Sequence, residues 1–305
     1  MRCNQAIISA FLVHPRYRKH VTSAHLLGVG SIQAARYAPP EIARAIIQLC
    51  VDKLVEQQSK TGLWKPPSRG KKEHAPAVSY RVLAAVHRAE MLPEIGTDTL
   101  PLRYDPFPPF ADSEDHLGVL VRRLFGRALP GDPALAVRLV DEITARQQAD
   151  GSWAGTIVST ALAMEHLLEL GLAPDFDAIA RGAKWLLDQY RERVDQRGVS
   201  AQSLFRSAEP GAELASALQE IPETIPVFAC YGLLPLIPTG LALRLLVAAG
   251  HVDDSRVSAS YASLLKLACT TNNQDGGTVA DINGWCSHSC MQLLQSEAKA
   301  RRKKM

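Results

Sequence analysis

Aromatic residues are scarce in this chain, at 6% of its 305 residues. Enzymes that act on carbohydrates use paired carboxylates, and their α/α barrels hold the sugar in a groove lined with aromatic side chains. So small an aromatic content makes a carbohydrate-active α/α barrel the least favoured function for this chain.

The chain also lacks a large charge of one sign. Its net charge is +3, and the basic tail 297–305 more than accounts for this excess, so the remainder is slightly acidic. Nucleic-acid binding by charge is therefore excluded for the body. The tail is predicted to be a disordered, solubilising end, with an anchor on an anionic surface as the alternative. Its basic residues are Lys299, Arg301, Arg302, Lys303 and Lys304.

The chain lacks a dense cysteine framework, and its N-terminal residues do not predict a cleavable signal peptide. The six cysteines are scattered over the chain. The N-terminal apolar run, Ile7 to Val13, is too short to span a membrane, and its basic residues follow it instead of preceding it. These features predict reduced thiols and a cytoplasmic protein.

One stretch has almost no charge. Arg244 is the only charged residue between Val227 and Gly250, a run as long as a transmembrane span. Pro235 and Pro238 interrupt its first half, which favours a buried wall helix preceded by an apolar loop. The alternative is a membrane-associated protein whose surface dips into one leaflet of a bilayer.

Against these absences stands a repeated turn with the pattern Gln-x-x-x-Gly-x-Trp. Each copy joins the end of one apolar helical run to the start of the next, which predicts an antiparallel helix pair. Such a pair buries only one face by itself and requires further copies to cover the rest. The two copies are Gln58, Gly62, Trp64 and Gln147, Gly151, Trp153.

The helices after the turns repeat as well. The interval from Thr to a closing Gly is the same in the run ending at Gly171 and the run ending at Gly250. A degenerate copy, with Trp185 and Gln189, precedes a turn that has lost its Gly-x-Trp. The pattern predicts an all-α fold of stacked helix pairs, either a solenoid or a closed α/α toroid. The second helices sharing one register contain Ser79, Thr160, Thr239 and Cys286.

Length and composition predict one domain over 1–305. A chain that is 47% hydrophobic and 21% charged can bury one large core. Segments rich in proline, glycine or charge interrupt the helical pattern and are predicted insertions. They lie at about 65–75, 92–115 and 191–226, and the basic tail 297–305 follows the last helix.

The two turns and the segment Arg181-Gly-x-x-Trp185 with Gln189 resemble the QW repeats of the terpene cyclase and prenyltransferase superfamily, squalene–hopene cyclases above all. The resemblance covers most of residues 40 to 295. It implies an α/α toroid, as a complete or incomplete barrel, with inner helices around an apolar cavity. It also implies an isoprenoid-handling enzyme of the cyclase type, hence an isomerase, with an apolar isoprenoid as its ligand and a second toroid or helical chain as its partner.

The motif residues themselves are predicted to have a structural role. A glutamine can satisfy free backbone groups at a helix end, and a glycine allows the chain to reverse. Catalytic groups are therefore sought elsewhere, and a toroid that has lost them would be a non-catalytic binding or scaffold protein. Whether the chain is an enzyme is left open on this ground, with the resemblance favouring an enzyme.

The acid expected of class II terpene cyclases is missing. Those enzymes resemble one another in an Asp-x-Asp-Asp segment whose middle carboxyl stays protonated, so that it can protonate an alkene. The run His251-Val-Asp253-Asp254 has histidine at the first acid position. Asp253, Asp254 and the later Asp281 are the catalytic candidates, and helix capping is the alternative role for the aspartates beside helices.

A zinc site is the other chemical candidate. Protein prenyltransferase β subunits resemble one another in an Asp-x-Cys-Tyr segment and a later Tyr-His-Thr-Cys segment, and the surroundings of Cys230 and His288 are similar to both. The resemblance implies a zinc ion held by Cys230 and His288. Phe228 stands where the carboxylate ligand belongs, so Asp281 is the candidate third ligand; buried structural cysteines are the alternative.

Overall fold

A computed structural model describes residues 52, 54–64, 75–90, 102–194, 200–205, 210–220 and 236–270. These residues are predominantly helical, which confirms the predicted all-α class, while the toroid stays a prediction. The helices are α1 (Ala75–Glu90), α2 (His116–Leu124), α3 (Asp132–Ala145), α4 (Ile157–Glu169), α5 (Asp177–Asp188), α6 (Pro210–Glu220), α7 (Leu236–Ala248) and α8 (Ser255–Thr270). One antiparallel hairpin is formed by β1 (Tyr190–Val194) and β2 (Ser200–Phe205).

The described residues divide into two compact units. The first ends at Ala136, and the second begins at Val137. The single domain predicted for 1–305 stays a prediction.

In the first unit, α1 packs against α2 over a small apolar core. Val82 and Val121 are fully buried there, and Leu54 and Phe110 are nearly so. The predicted insertion 92–115 is non-helical over its described part, apart from a 3-10 turn at Pro108–Phe110. α2 then begins at a side-chain cap, because Asp115 accepts a hydrogen bond from the amide of Gly118 at 2.7 Å.

In the second unit, α4 packs against α5, α6 and α7. The α4 side chains from Ile157 to Met164 are all buried, and so are those of α7 from Thr239 to Val247, except Arg244. Helices that are apolar on every side are normally surrounded by other elements. Within the described residues, no helix combines the length and the apolar character needed to cross a bilayer.

Two helices of the second unit end in the same way. Gly171 after α4 and Gly250 after α7 have positive φ values of 106° and 90°. The next amide, of Leu172 or His251, donates back to Leu167 or Leu246 at 3.1 and 2.9 Å. This is the Schellman arrangement, which satisfies carbonyl groups left free at a helix end.

The predicted insertion 191–226 contains α6 and the hairpin except its first residue, Tyr190. Phe205, at the end of β2, is fully buried and meets the ring of Tyr190 edge-on at 5.9 Å. Its carbonyl accepts a hydrogen bond from Thr239 Oγ1 at 3.0 Å. Thr239 has the same register in α7 as Thr160 has in α4, and the hydroxyl of Thr160 contacts the backbone of Trp153 (below). Phe205, at the end of β2, is therefore the partner of Thr239, as the tryptophan of the Gly-x-Trp segment is the partner of Thr160.

Candidate functional site

The glutamine of the first turn joins three backbone groups. Gln58 Nε2 donates to the carbonyl of Gly62 at 2.8 Å, within the turn, and to the carbonyl of Tyr104 at 2.9 Å. Gln58 Oε1 accepts the amide of Tyr104 at 2.9 Å. The side chain therefore holds its own turn and also fixes a segment 46 residues later.

The glutamine of the second turn donates from the same atom, Nε2, and its partner outside the turn is a different kind of segment. Gln147 Nε2 donates to Gly151 and to Ala178, both carbonyl contacts at 2.9 Å. Ala178 lies in the first turn of α5. In both turns the glutamine thus connects a helix pair to the segment that follows it, a partner that the sequence pattern did not identify.

The tryptophans occupy equivalent positions in their turns. Trp64 Nε1 donates to the carbonyl of Leu54 at 2.7 Å, and Trp153 Nε1 donates to the carbonyl of Ile143 at 2.8 Å. Each acceptor lies 10 residues before its tryptophan, in the helix that precedes the turn. Trp64 and Trp153 are 0% and 4% exposed, so each one packs in the interior of its own helix pair.

Hydroxyl groups on the following helices hold the tryptophan backbone. The amide of Trp64 donates to Ser79 Oγ at 2.9 Å, and the amide of Trp153 donates to Thr160 Oγ1 at 3.0 Å. Ser79 and Thr160 are two of the four residues that the sequence register predicts to be equivalent. The second helix of each pair is therefore tied to the turn before it.

Only glycine fits at the fourth position after each glutamine. Gly62 and Gly151 have φ values of +80° and +93°. A Cβ atom would lie 2.1 Å from the carbonyl oxygen of Asp105 at Gly62, and 2.7 Å from that of Arg181 at Gly151. Both the backbone conformation and the close approach of the next segment exclude a larger residue.

The degenerate copy has different contacts. Trp185 Nε1 donates to Asp150 Oδ2 at 3.1 Å at the surface, and Gln189 Nε2 donates to the carbonyl of Trp185 at 3.3 Å. Asp150 belongs to the second turn, where the backbone amide of Ser152 is the main cause that lowers its pKa. Trp185 therefore links α5 to the preceding turn, and it does not have the buried position of Trp64 and Trp153.

Asp254 is the N-cap of α8. Its carboxylate accepts the amide of Arg256 at 2.9 Å and two guanidinium hydrogen bonds from the same residue. Arg256 Nη1 also donates to the carbonyl of Leu187 at 3.3 Å, so the pair connects the start of α8 to the end of α5. The hydrogen bonds from Arg256 hold the pKa of Asp254 below its ordinary value.

This environment is the reverse of what an alkene-protonating acid needs. Such a carboxyl must stay protonated, which requires burial or neighbours that raise its pKa. Asp254 is stabilised in its ionised form by an arginine. Asp253 is exposed at the surface, and Asp281 lies outside the described residues.

The zinc candidates cannot be placed. Cys230, Asp281 and His288 all lie outside the described residues. In the part of the chain that is described, no group of three or more His, Cys, Asp or Glu side chains is positioned to hold a metal ion.

A buried ion pair in the first unit was missed by sequence reasoning. Arg122, at the end of α2, donates from Nε to both carboxylate oxygens of Asp132 at 3.0 Å. Its Nη1 donates to the carbonyls of Phe110 and Ser113, both at 2.8 Å. Arginine supplies five donors in a planar fork, so one side chain holds a loop and two helix ends together.

A second ion pair explains the single charge of the apolar run. Arg244 on α7 pairs with Glu165 on α4, and both side chains are 17% exposed. Each residue follows its repeat threonine, Thr239 or Thr160, by the same interval. The charge in α7 is therefore neutralised at the same level of the neighbouring helix.

The insertion supplies one more buried carboxylate. Glu213 on α6 accepts the amides of Ile157 and Val158, at 2.8 and 2.7 Å, at the N-terminus of α4. Thr156 caps the same helix and shares a hydrogen bond of 3.2 Å with Ser216 of α6. Free amides and the helix dipole favour an anion at this end, and no local pattern in the sequence indicates which residue supplies it.

Compared with known proteins, the chain matches no family model, no curated protein and no solved structure.

Proposed function

We propose that this chain is an isoprenoid-handling enzyme of the terpene cyclase type, which works in an apolar cavity formed by stacked helix pairs. The observation that carries the proposal is the construction of the two turns at 58–64 and 147–153. Both have the motif that resembles the QW repeat, and they share the glutamine, glycine and tryptophan contacts described above. Helices α4 and α7, whose buried side chains are mostly apolar, supply the kind of wall that a hydrocarbon ligand requires.

The proposal assigns separate tasks to separate residues. The turns position the helices and take no part in chemistry, because the side-chain amide nitrogens of their glutamines are used in hydrogen bonds to the backbone. The initiating acid is not Asp254, which its arginine keeps ionised. Asp281 is the remaining carboxylate candidate, and a second toroid or helical chain could supply the acid in its place.

The direct test is incubation of the purified full chain with geranylgeranyl diphosphate, farnesyl diphosphate and squalene. Binding is followed by isothermal titration calorimetry, and products are identified by mass spectrometry after extraction. We expect one substrate to bind and to be converted, Asp281→Asn to abolish conversion, and Asp254→Asn to retain it. If none of the three binds or reacts, the proposal is wrong.

A non-catalytic binding toroid is the second candidate, and the environment of Asp254 favours it. Of the two candidate acids within the described residues, Asp254 is paired with Arg256 and acts as a helix cap, and Asp253 is exposed. Binding of an isoprenoid without any product, in the presence and absence of a cell extract, would select this candidate over the enzyme.

The zinc-dependent prenyltransferase-like enzyme stays a separate prediction. It requires stoichiometric zinc in elemental analysis of the full chain, lost in both Cys230→Ser and His288→Ala. A zinc-free protein that still converts an isoprenoid would contradict this prediction and leave the cyclase proposal standing.

A further inference from the structure

Two buried polar atoms lie beside the second turn without a hydrogen-bond partner. They are Thr144 Oγ1 and Gln147 Oε1, and nothing in the described part of the chain bonds to either one. The two residues are one helical turn apart, since the amide of Gln147 donates to the carbonyl of Thr144 at 3.0 Å. Buried side-chain oxygens are nearly always satisfied, so this pair needs an explanation.

The first turn provides an internal comparison. There Gln58 Oε1 accepts the amide of Tyr104 at 2.9 Å, and the residue three positions before Gln58 is Val55. At the second turn the corresponding position is Thr144, and Gln147 Oε1 receives no such amide. A missing donor and an additional hydroxyl therefore occur together at one corner.

The segment facing Gln147 has free backbone amides, and none of them bonds directly to Gln147 Oε1. Gln147 Nε2 donates to the carbonyl of Ala178, in the first turn of α5. The first amides of a helix have no partner within it, and Phe176, the N-cap of α5, makes no side-chain capping hydrogen bond. Ala178 and Ile179 are 1% and 0% exposed, so these amides lie in the protein interior.

We propose that one ordered water molecule occupies this corner and replaces the amide that Tyr104 supplies in the first turn. The water donates its two hydrogens to Gln147 Oε1 and Thr144 Oγ1, and it accepts an amide hydrogen from the first turn of α5. Buried waters typically make about three hydrogen bonds to groups that would otherwise be unsatisfied, which is the number proposed here.

The site accounts for the difference between the two turns. In the first turn the glutamine meets an extended segment, whose residue offers both its carbonyl and its amide to one side chain. In the second it meets a helix start, whose carbonyl alone reaches the amide nitrogen of Gln147. A water extends the contact to the helix amides, because it can both donate and accept.

The test is a crystal structure of the full chain at a resolution that orders internal waters. We expect one water peak about 2.7–3.2 Å from both Thr144 Oγ1 and Gln147 Oε1. In Thr144→Val, which copies the first turn, the peak should be lost because a hydrogen-bonding group is replaced by a methyl. The matched variant Val55→Thr should gain no water, because Gln58 Oε1 already has its partner.

Two results would overturn the assignment. They are empty density at this corner in the unmodified chain and a water retained unchanged in Thr144→Val. The unmodified chain tests the site by itself, so the proposal does not depend on the folding of a variant.

Discussion

The indole nitrogen of Trp153 lies 2.8 Å from the carbonyl oxygen of Ile143, in the helix that leads into the turn. This hydrogen bond crosses the interior of one helix pair and is matched by the contact of Trp64 with Leu54. The two tryptophans thus have the same structural role. Each one connects the end of its turn to the helix that precedes the turn.

We predict that Trp153→Phe destabilises the protein by about 1–3 kcal/mol, because it removes a buried donor and part of a buried ring. Trp64→Phe should have an effect of the same order, since Trp64 is buried and bonded in the same way. The measurement is the free energy of unfolding from urea titration. Trp185→Phe is the control: its hydrogen bond is at the surface, so the change should stay within about 0.5 kcal/mol. Equal losses at all three positions would contradict this assignment of roles.

Glycine substitutions should separate the cost of a positive φ from the cost of a steric clash with the neighbouring backbone. Gly151→Ala combines a φ of +93° with a Cβ 2.7 Å from a backbone oxygen, whereas Gly171→Ala has a φ of +106° and open space. We expect about 1–2 kcal/mol for Gly171→Ala, from backbone strain alone. Gly151→Ala should lose clearly more, because the backbone of α5 at Arg181 must move. Thermal unfolding of the two variants side by side provides the comparison, and equal losses would mean that the contact with Arg181 adds nothing.

Asp132→Asn should be strongly destabilising. Asp132 is the ionic partner of Arg122, which is 1% exposed, and the substitution leaves a buried guanidinium without its counter-charge. Removing one member of a buried pair typically costs about 3–5 kcal/mol. Urea unfolding at neutral pH measures the loss, and Asp141→Asn on the exposed surface is the matched control.

The same pair predicts a dependence on pH. The hydrogen bonds from Arg122 hold the pKa of Asp132 below its ordinary value of 3.8. A carboxyl with a lowered pKa in the folded state contributes its stability in full above the unfolded pKa and loses it as pH falls through the folded one. Unfolding free energies of the unmodified chain and Asp132→Asn should therefore converge as the pH is lowered through this acidic range. A constant difference down to the lowest accessible pH would contradict the prediction.

Arg244 and Glu165 should show strong coupling. Replacing either residue alone by leucine leaves a half-buried charge among apolar helices and should be destabilising. The double replacement should be close to neutral, because a packed apolar pair avoids the cost of desolvating two ions. A double-mutant cycle measured by urea unfolding gives the coupling energy, expected between about 0.5 and 3 kcal/mol. Additive losses would show that the two side chains do not interact in solution.

Glu213→Gln tests the attachment of α6 to α4. A glutamine presents one oxygen and one NH2 group to two amide donors, so one of the two hydrogen bonds with Ile157 and Val158 must be lost. Hydrogen exchange at those two amides should become faster, while exchange at the buried centre of α4, around Met164, should stay unchanged. Unchanged exchange at Ile157 and Val158 would mean that the carboxylate does not protect them.

Much of the fold was predictable because it depends on short intervals. Helical spacing of apolar residues, prolines in 92–115 and the closing glycines Gly171 and Gly250 all act within one or two turns of chain. The hairpin at 190–205 gave no such signal, because β1 reads Tyr-Arg-Glu-Arg-Val and has no alternation of apolar and polar residues. It is held by pairing and by the burial of Phe205 against other elements.

The candidate site was less predictable, because its contacts join distant segments. Asp254 could be a cap or an acid by sequence, and only the position of Arg256 over its carboxylate distinguishes the two roles. An aspartate directly before a helix commonly caps it, so the sequence is consistent with that role as well. The ion pair of Arg122 with Asp132 had no sequence signal, since buried and exposed arginines have the same local pattern.

What the amino-acid sequence determined alone is the turn: where it lies, that it needs glycine, and that a tryptophan follows, because these requirements arise within a few residues. Only the tertiary structure decided which segment each turn holds. Tyr104 meets Gln58 and Ala178 meets Gln147 because the intervening chain folds back to bring them there. Hydrogen bonds and ion pairs depend on distances of a few ångströms in space, and spacing along the chain does not encode those distances.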